Sequence, residues 1–178
     1  KRREERALKL SLRDPLTLLM NRRAFYRYAR GATLKGTAAL ILIDLNKFKQ
    51  INDFYGHSVG DKVLTYVASR LKNMLKDGDF IARWGGDEFV VLLPQTSEVE
   101  ASHIKERLLI GLGEPYQLGE ATLDISASAG MTMLKAGVNL DTAMGQADAE
   151  MYKNKYQMST PSTFPNIVSK PQDGIMRG

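Results

Sequence analysis

Arg83-Trp84-Gly85-Gly86-Asp87-Glu88-Phe89-Val90-Val91-Leu92-Leu93 places two glycines and two carboxylates in a turn between strand-forming residues. Phe80 to Ala82 and Phe89 to Leu93 read as the strands of a hairpin, the second stopped by Pro94, and glycine lets the turn take positive φ. Adjacent carboxylates repel, and each raises the other's pKa unless a cation neutralises them. A divalent metal bridging a polyphosphate is the cation that suits such hard oxygen donors. With near-average residue usage, the string from Gly85 to Phe89 arises by chance in a chain of this length about once in ten thousand. A plain turn followed by surface acids is therefore the poorer reading.

Outward from the hairpin, Ala38-Ala39-Leu40-Ile41-Leu42-Ile43 is apolar throughout, as a central strand buried on both faces would be, and it ends on Asp44. A sheet that sets these strands side by side brings Asp44 to Asp87 and Glu88, and three carboxylates at one rim could hold one or two Mg²⁺ ions. Lys47 to Tyr55 reads as a polar turn or short helix closed by Gly56. A helix is expected from Gly60, with Val63, Leu64, Val67, Ala68, Leu71 and Leu75 at helical spacing and Gly78 past its end. Ser97-Glu98-Val99-Glu100 has the form of a capping box before a helix to about Leu112. A second hairpin is expected across Tyr116 to Leu118 and Thr122 to Leu134, then a last helix from an Asp141 cap to about Lys155. Before the buried strand, Asp14-Pro15 breaks a charged lead-in helix at residues 1–12, and Thr17 to Arg30 restarts it. Strands alternating with helices, with two hairpins among them, predict an α+β fold with a mixed central sheet flanked by helices. The expected organisation is a linker or signalling helix at 1–13, one domain at 14–157, and a Ser-, Thr- and Pro-rich tail at 158–178.

The chain has 178 residues and 43% hydrophobic content, enough for one domain with a real core. It contains no cysteine, which excludes a disulfide framework and thiolate chemistry. No apolar stretch approaches bilayer length and no signal peptide is visible, so a cytoplasmic setting is expected, either free or as the cytoplasmic part of a larger, membrane-tethered receptor, with no membrane contact by the domain itself. With no initiator Met, a piece of a longer protein is expected. Net charge is +5, yet residues 1–30 hold ten Lys/Arg against three Asp/Glu and the remainder fifteen against seventeen, so +7 sits at one end and −2 elsewhere. A local basic helix face is more often a solvated surface than a nucleic-acid footprint, and no nucleic-acid partner is expected.

The segment Ile43-Asp44-Leu45-Asn46-Lys47-Phe48-Lys49-Gln50-Ile51-Asn52-Asp53-Phe54-Tyr55-Gly56-His57-Ser58-Val59-Gly60-Asp61 adds to the hairpin a second long motif. Asp14-Pro15-Leu16-Thr17, Asn21-Arg22-Arg23, Ser128-Ala129-Gly130 and Ala147-Asp148 with Tyr152 and Lys155 extend the pattern. With these residues the chain resembles the GGDEF family of diguanylate cyclases, which join two GTP molecules into cyclic di-GMP; the likeness spans roughly residues 10 to 156. It implies a ferredoxin-like palm as in nucleotidyl cyclases. It implies Mg²⁺ or Mn²⁺ on Asp44, the Leu45 carbonyl, Asp87 and Glu88, with Asp87 accepting the proton of the attacking 3′-hydroxyl. Lys49 would stabilise charge in the transition state, Lys47 and Phe48 amides would cradle phosphates, and Lys155 would contact them. Asn52 and Asp61 match guanine readers, His57 a further substrate contact, and Gly85 and Gly86 the backbone against which substrate lies. One carboxylate such as Asp61 can accept from both N1–H and the exocyclic amine of guanine, whereas adenine would leave it unpaired. The resemblance also implies a homodimer with one GTP per domain and an upstream sensor.

Three departures from the family pattern stand out. Leu18 replaces the usual Gly after Asp-x-Leu-Thr. Ser159 stands where the family has Arg, which removes a bidentate phosphate contact and predicts weaker GTP binding. The family's inhibitory product site, Arg-x-x-Asp, is matched here by Lys76 and Asp79; lysine keeps the charge but loses the fork, so weak or absent feedback is expected. The alternative function is a non-catalytic GTP-binding module that regulates a neighbouring domain such as a cyclic di-GMP phosphodiesterase.

Overall fold

The computed structural model describes residues 12–33, 36–119, 121–135 and 137–157. The lead-in helix, the tail and Ser159 lie outside the described residues. The elements in order are β1 (Met20–Asn21), α1 (Arg22–Thr33), β2 (Ala38–Leu45), α2 (Phe48–Tyr55), α3 (His57–Met74), β3 (Phe80–Gly85), β4 (Glu88–Pro94), α4 (Glu98–Gly113), β5 (Tyr116–Leu118), β6 (Ala121–Leu123), β7 (Ala127–Leu134) and α5 (Leu140–Gln157). Five strands form one mixed sheet in the order β1-β3-β4-β2-β7, with β1 parallel to β3 and every other pair antiparallel. The expected α+β architecture is the one found.

Alternation along β2 and β4 divides the core, because successive side chains of a strand point to opposite faces. Ile41, Ile43, Phe89 and Val91 meet Val63, Val67 and Leu71 of α3 and Leu108 of α4 on one side. Leu40, Leu42, Val90 and Leu92 meet Phe25 of α1 and Ala143, Ala147 and Met151 of α5 on the other. Burial on both faces is what the continuous apolar run at Ala38–Ile43 required. Among the described residues no helix is long and apolar enough to cross a membrane.

Several boundaries differ from the expected ones. The helix expected from Thr17 begins only at Arg22. Before it, the Asp14 carboxylate accepts from the Thr17 amide at 2.8 Å and hydroxyl at 2.7 Å, holding a turn in which Leu18 takes φ 58°. That left-handed position is where the family has glycine, and here a leucine 69% exposed bears it. The helix expected from Gly60 reaches back to His57, because Gly56 at φ 85° and ψ 159° ends α2 and starts α3. The last helix is entered from Asn139, whose Oδ1 accepts from the Asp141 amide at 2.8 Å, so Asn139 and not Asp141 supplies the cap. Ser97 does cap α4, accepting from Glu100 N at 3.3 Å. The expected strand from Thr122 to Leu134 is two strands in two sheets: β6 pairs with β5, and β7 with β2.

Asp14 also receives Nη1 of Arg83 at 3.2 Å, with both side chains largely buried. Burial pushes this carboxyl upward, but the Thr17 hydrogen bonds and the Arg83 charge outweigh it and hold the pKa below the ordinary 3.8. A lowered carboxylate pKa contributes stability above the unfolded value and loses it as pH falls through the folded one. Asp14→Asn should therefore cost about 1–2 kcal/mol at neutral pH and flatten the stability profile below about pH 4. Urea melts across pH check this; profiles that run parallel down to pH 3 would contradict it.

Candidate active site

The expected carboxylate rim exists. Asp44 and Glu88 are direct antiparallel partners, which puts their side chains on one face, and the Leu45 amide donates to the Asp87 carbonyl at 3.3 Å. The turn itself is Gly86-Asp87, with Gly85 the last residue of β3 and the register shifted between Arg83 and Gly85. Gly86 takes φ 34°, so the need for positive φ falls on the second glycine alone.

Two carboxyls of this rim, Asp87 and Glu88, have raised pKa values. Burial raises the Asp87 carboxyl and the nearby Asp44 charge raises it further. Glu88 is likewise pushed up by burial, then by Asp44, Asp87 and Asp148. Counterions within the chain are Arg83, whose charge acts on Asp87, and Lys155 near the end of α5, whose Nζ is ion-paired with Asp44 Oδ1. Among the described residues no three Asp, Glu or His side chains close into a metal cage. Asp44 and Glu88 share the rim, but like charges keep apart and Lys155 already draws Asp44. Two aspartates, a glutamate and a backbone carbonyl remain a donor set that fits a hard divalent cation.

Sequence reasoning missed the residues that hold this rim. Arg83 donates to the Gly86 carbonyl through Nε at 3.0 Å and Nη2 at 2.8 Å while it pairs with Asp14, so it ties the turn to the start of the domain. Asn46 lashes β2 to β7: its amide donates to the Ser126 carbonyl at 2.8 Å, and its Oδ1 accepts from Ser128 Oγ at 2.8 Å. Asp148 acts on Glu88 from α5. No local signal distinguishes such residues, since each acts across the sheet.

Lys47, Phe48, Lys49 and Asn52 follow from the end of β2 into α2. Lys47 takes the left-handed φ of 57° at the head of α2, and no side chain caps that end. Its Lys49 and Lys47 side chains are exposed and Phe48 is buried. His57 and Asp61 lie exposed in the first turns of α3, which packs against α2. Lys76 and Asp79 lie elsewhere, in a cleft of about 510 Å³ between the end of α3 and α4 that His103 and Arg107 also line. There the Lys76 amide donates to Asp79 Oδ2 at 3.1 Å, and Oδ1 is buried with no partner among the described residues.

The family model described as "Diguanylate cyclase, GGDEF domain" matches residues 11–160. The chain is 39% identical over 151 residues to diguanylate cyclase DgcP of Pseudomonas aeruginosa, covering 82% of this chain and 22% of that protein. It is 39% identical over 125 residues to the cyclic di-GMP phosphodiesterase NbdA of the same organism, covering 67% of this chain and 16% of that protein. The chain thus spans about a fifth of the length of these relatives. The crystal structure of the coiled coil and GGDEF domain of DgcB from Caulobacter crescentus, in complex with c-di-GMP, superposes with a TM-score of 0.81 at 28% identity, covering 88% of this chain and 87% of that one.

Proposed function

This chain belongs to the GGDEF domain family, and from that premise we propose that it is a diguanylate cyclase that condenses two GTP into cyclic di-GMP. Two domains would face each other, each with one GTP. The 3′-oxygen of each nucleotide forms a bond to the α-phosphorus of the other, the bond to the β-phosphate oxygen breaks, and pyrophosphate leaves twice. The single observation that supports this best is the rim itself, where Asp44, Asp87 and Glu88 from distant stretches share one edge with Lys155.

In this reading Asp44, the Leu45 carbonyl, Asp87 and Glu88 hold Mg²⁺ or Mn²⁺. When bound, the metal polarises the phosphoryl oxygen and lowers the pKa of a coordinated hydroxyl. The chain's own groups do the rest. Asp87 takes the 3′-hydroxyl proton. Lys49 and Lys155 balance phosphate charge, the uncapped start of α2 at Lys47 and Phe48 offers amides to phosphate oxygens, and Gly85 and Gly86 leave the backbone open to substrate. Asn52 and Asp61 read guanine, with His57 beside them.

Incubation with GTP and Mg²⁺ should yield cyclic di-GMP by chromatography, at a rate per chain that rises with chain concentration because each active site needs two copies. GTP binding without product would instead favour a non-catalytic regulatory module, a reading supported by the likeness to NbdA. In the same assay, progress curves should stay straight as product accumulates, since Lys76 replaces the arginine of the inhibitory site. Marked slowing by micromolar product would refute that part.

A further inference from the structure

Gly60 is the fourth residue of α3 and is buried, yet its backbone has no need of glycine, for it lies inside a helix and its φ is not positive. In a helix interior glycine is disfavoured relative to alanine by about 0.8–1 kcal/mol. What requires it is space. A Cβ at Gly60 would stand 1.9 Å from Asn52 Oδ1, 3.0 Å from Asn52 Cγ and 3.2 Å from Phe48 Cζ. Gly145 and Gly113, also helical, have nothing within 4 Å of such an atom. The missing methyl at Gly60 is therefore the seat of the Asn52 carboxamide.

Asn52 is held from its backbone as well. Its carbonyl accepts from the Gly56 amide at 2.9 Å, and the Gly56 carbonyl accepts in turn from the Gly60 amide at 3.2 Å. The turn between α2 and α3 thus fixes the main chain of Asn52, and the bare face of Gly60 fixes its side chain, immediately before Asp61. A carboxamide both donates and accepts, so it discriminates a base edge only if its orientation is set.

We infer that Gly60 is a specificity-positioning residue, which seats the Asn52 carboxamide beside Asp61 so that the pair can read a guanine edge. The inference rests on the proposed GTP site and deepens it. A methyl at position 60 evicts the Asn52 side chain and leaves the carboxylate rim of the sheet untouched, so the loss falls on recognition rather than on chemistry.

The test measures KM, kcat and GTP dissociation constant for wild type, Gly60→Ala, Asn52→Ala and the double variant, with ATP as competing substrate and Gly145→Ala as a helix control. Gly60→Ala is expected to raise KM for GTP at least about tenfold and to lower the preference for GTP over ATP, with kcat changed by less than about threefold. Gly145→Ala should match wild type. In the double variant the two losses should not add, because Gly60 acts through Asn52. An unchanged KM in Gly60→Ala, or losses that multiply, would overturn the inference. If Gly60→Ala fails to fold, the comparison passes to Asn52→Ala with and without the alanine at 60. With the carboxamide gone only Phe48 Cζ, at 3.2 Å, stays close to the methyl, so the double variant should fold where Gly60→Ala alone does not; failure of both to fold would overturn the inference. A wild-type chain that binds no GTP at all refutes the proposed function instead.

Discussion

Asp87→Asn is expected to lower cyclic di-GMP formation by about a thousandfold or more while the metal-free protein melts at or above the wild-type temperature. Asparagine cannot take a proton from the attacking hydroxyl and is a poor ligand for a hard cation, and losing one such group costs roughly 10²–10⁴ in rate. The stability half follows from the direction of the carboxyl's shift. Burial first, then the Asp44 charge, raises the Asp87 pKa above 3.8 in the folded protein. A raised carboxyl contributes stability below its unfolded pKa, and that contribution is lost as pH rises through the folded value. At neutral pH the ionised group is therefore a liability in the metal-free fold, and the neutral amide removes it. Near pH 3, where both states are protonated, the difference should vanish. A melting temperature that falls together with the rate would mark Asp87 as structural, and turnover that survives would remove it from the chemistry.

Gly130→Ala is expected to be the most damaging single methyl in the domain, at least about 3 kcal/mol and beyond the usual range for overpacking. A Cβ there would stand 1.9 Å from the Ala147 carbonyl oxygen and 2.5 Å from the Met151 amide nitrogen. Those are backbone atoms of α5, so no rotamer change relieves the clash; the helix must lift off the sheet. Lifting α5 strips Ala143, Ala147 and Met151 from the core and takes Lys155 from Asp44. For a domain of this size the melting temperature should drop by roughly 6–12 °C, read by circular dichroism. Gly145→Ala on the same helix, where the space is open, should gain about 0.5–1 kcal/mol. Equal melting temperatures for the two variants would show that α5 does not press on β7 as closely as described.

The same close approach explains how β7 tolerates being an edge strand. Unpaired edge groups invite pairing with another chain. Here Glu150 of α5 accepts from the Met131 amide, and Asn154, one turn on, donates to the Ala129 carbonyl at 3.4 Å. Lys105 from α4 pairs with Glu150 at 2.7 Å and steadies the arrangement. The helix can reach those groups only because residue 130 has no side chain.

Strand-length apolar runs, the Gly-Gly-Asp-Glu turn, the Gly56 break and the Ser97 cap were all legible, because burial, positive φ and capping leave marks within a few residues of chain. The start of α1 leaves no such local mark. Asp14 looks like a helix breaker next to Pro15, whereas its carboxylate closes a turn and meets Arg83, a partner far along the chain. Alternation over Thr122 to Leu134 is equally compatible with one strand or two, and only pairing with β5 or β2 assigns each half to its sheet.

By itself, then, the amino-acid order determined which segments are buried, where the chain must turn, and that two carboxylates follow two glycines at one of those turns. The tertiary structure alone decided who meets whom: Glu88 opposite Asp44, Lys155 on Asp44, Arg83 on both Asp14 and Gly86, Asn52 in the hollow of Gly60, and α5 against Gly130. The reason is physical. Periodicity and backbone preference act over one turn or one strand, while these contacts depend on strand order and on close packing between elements, which no local stretch encodes.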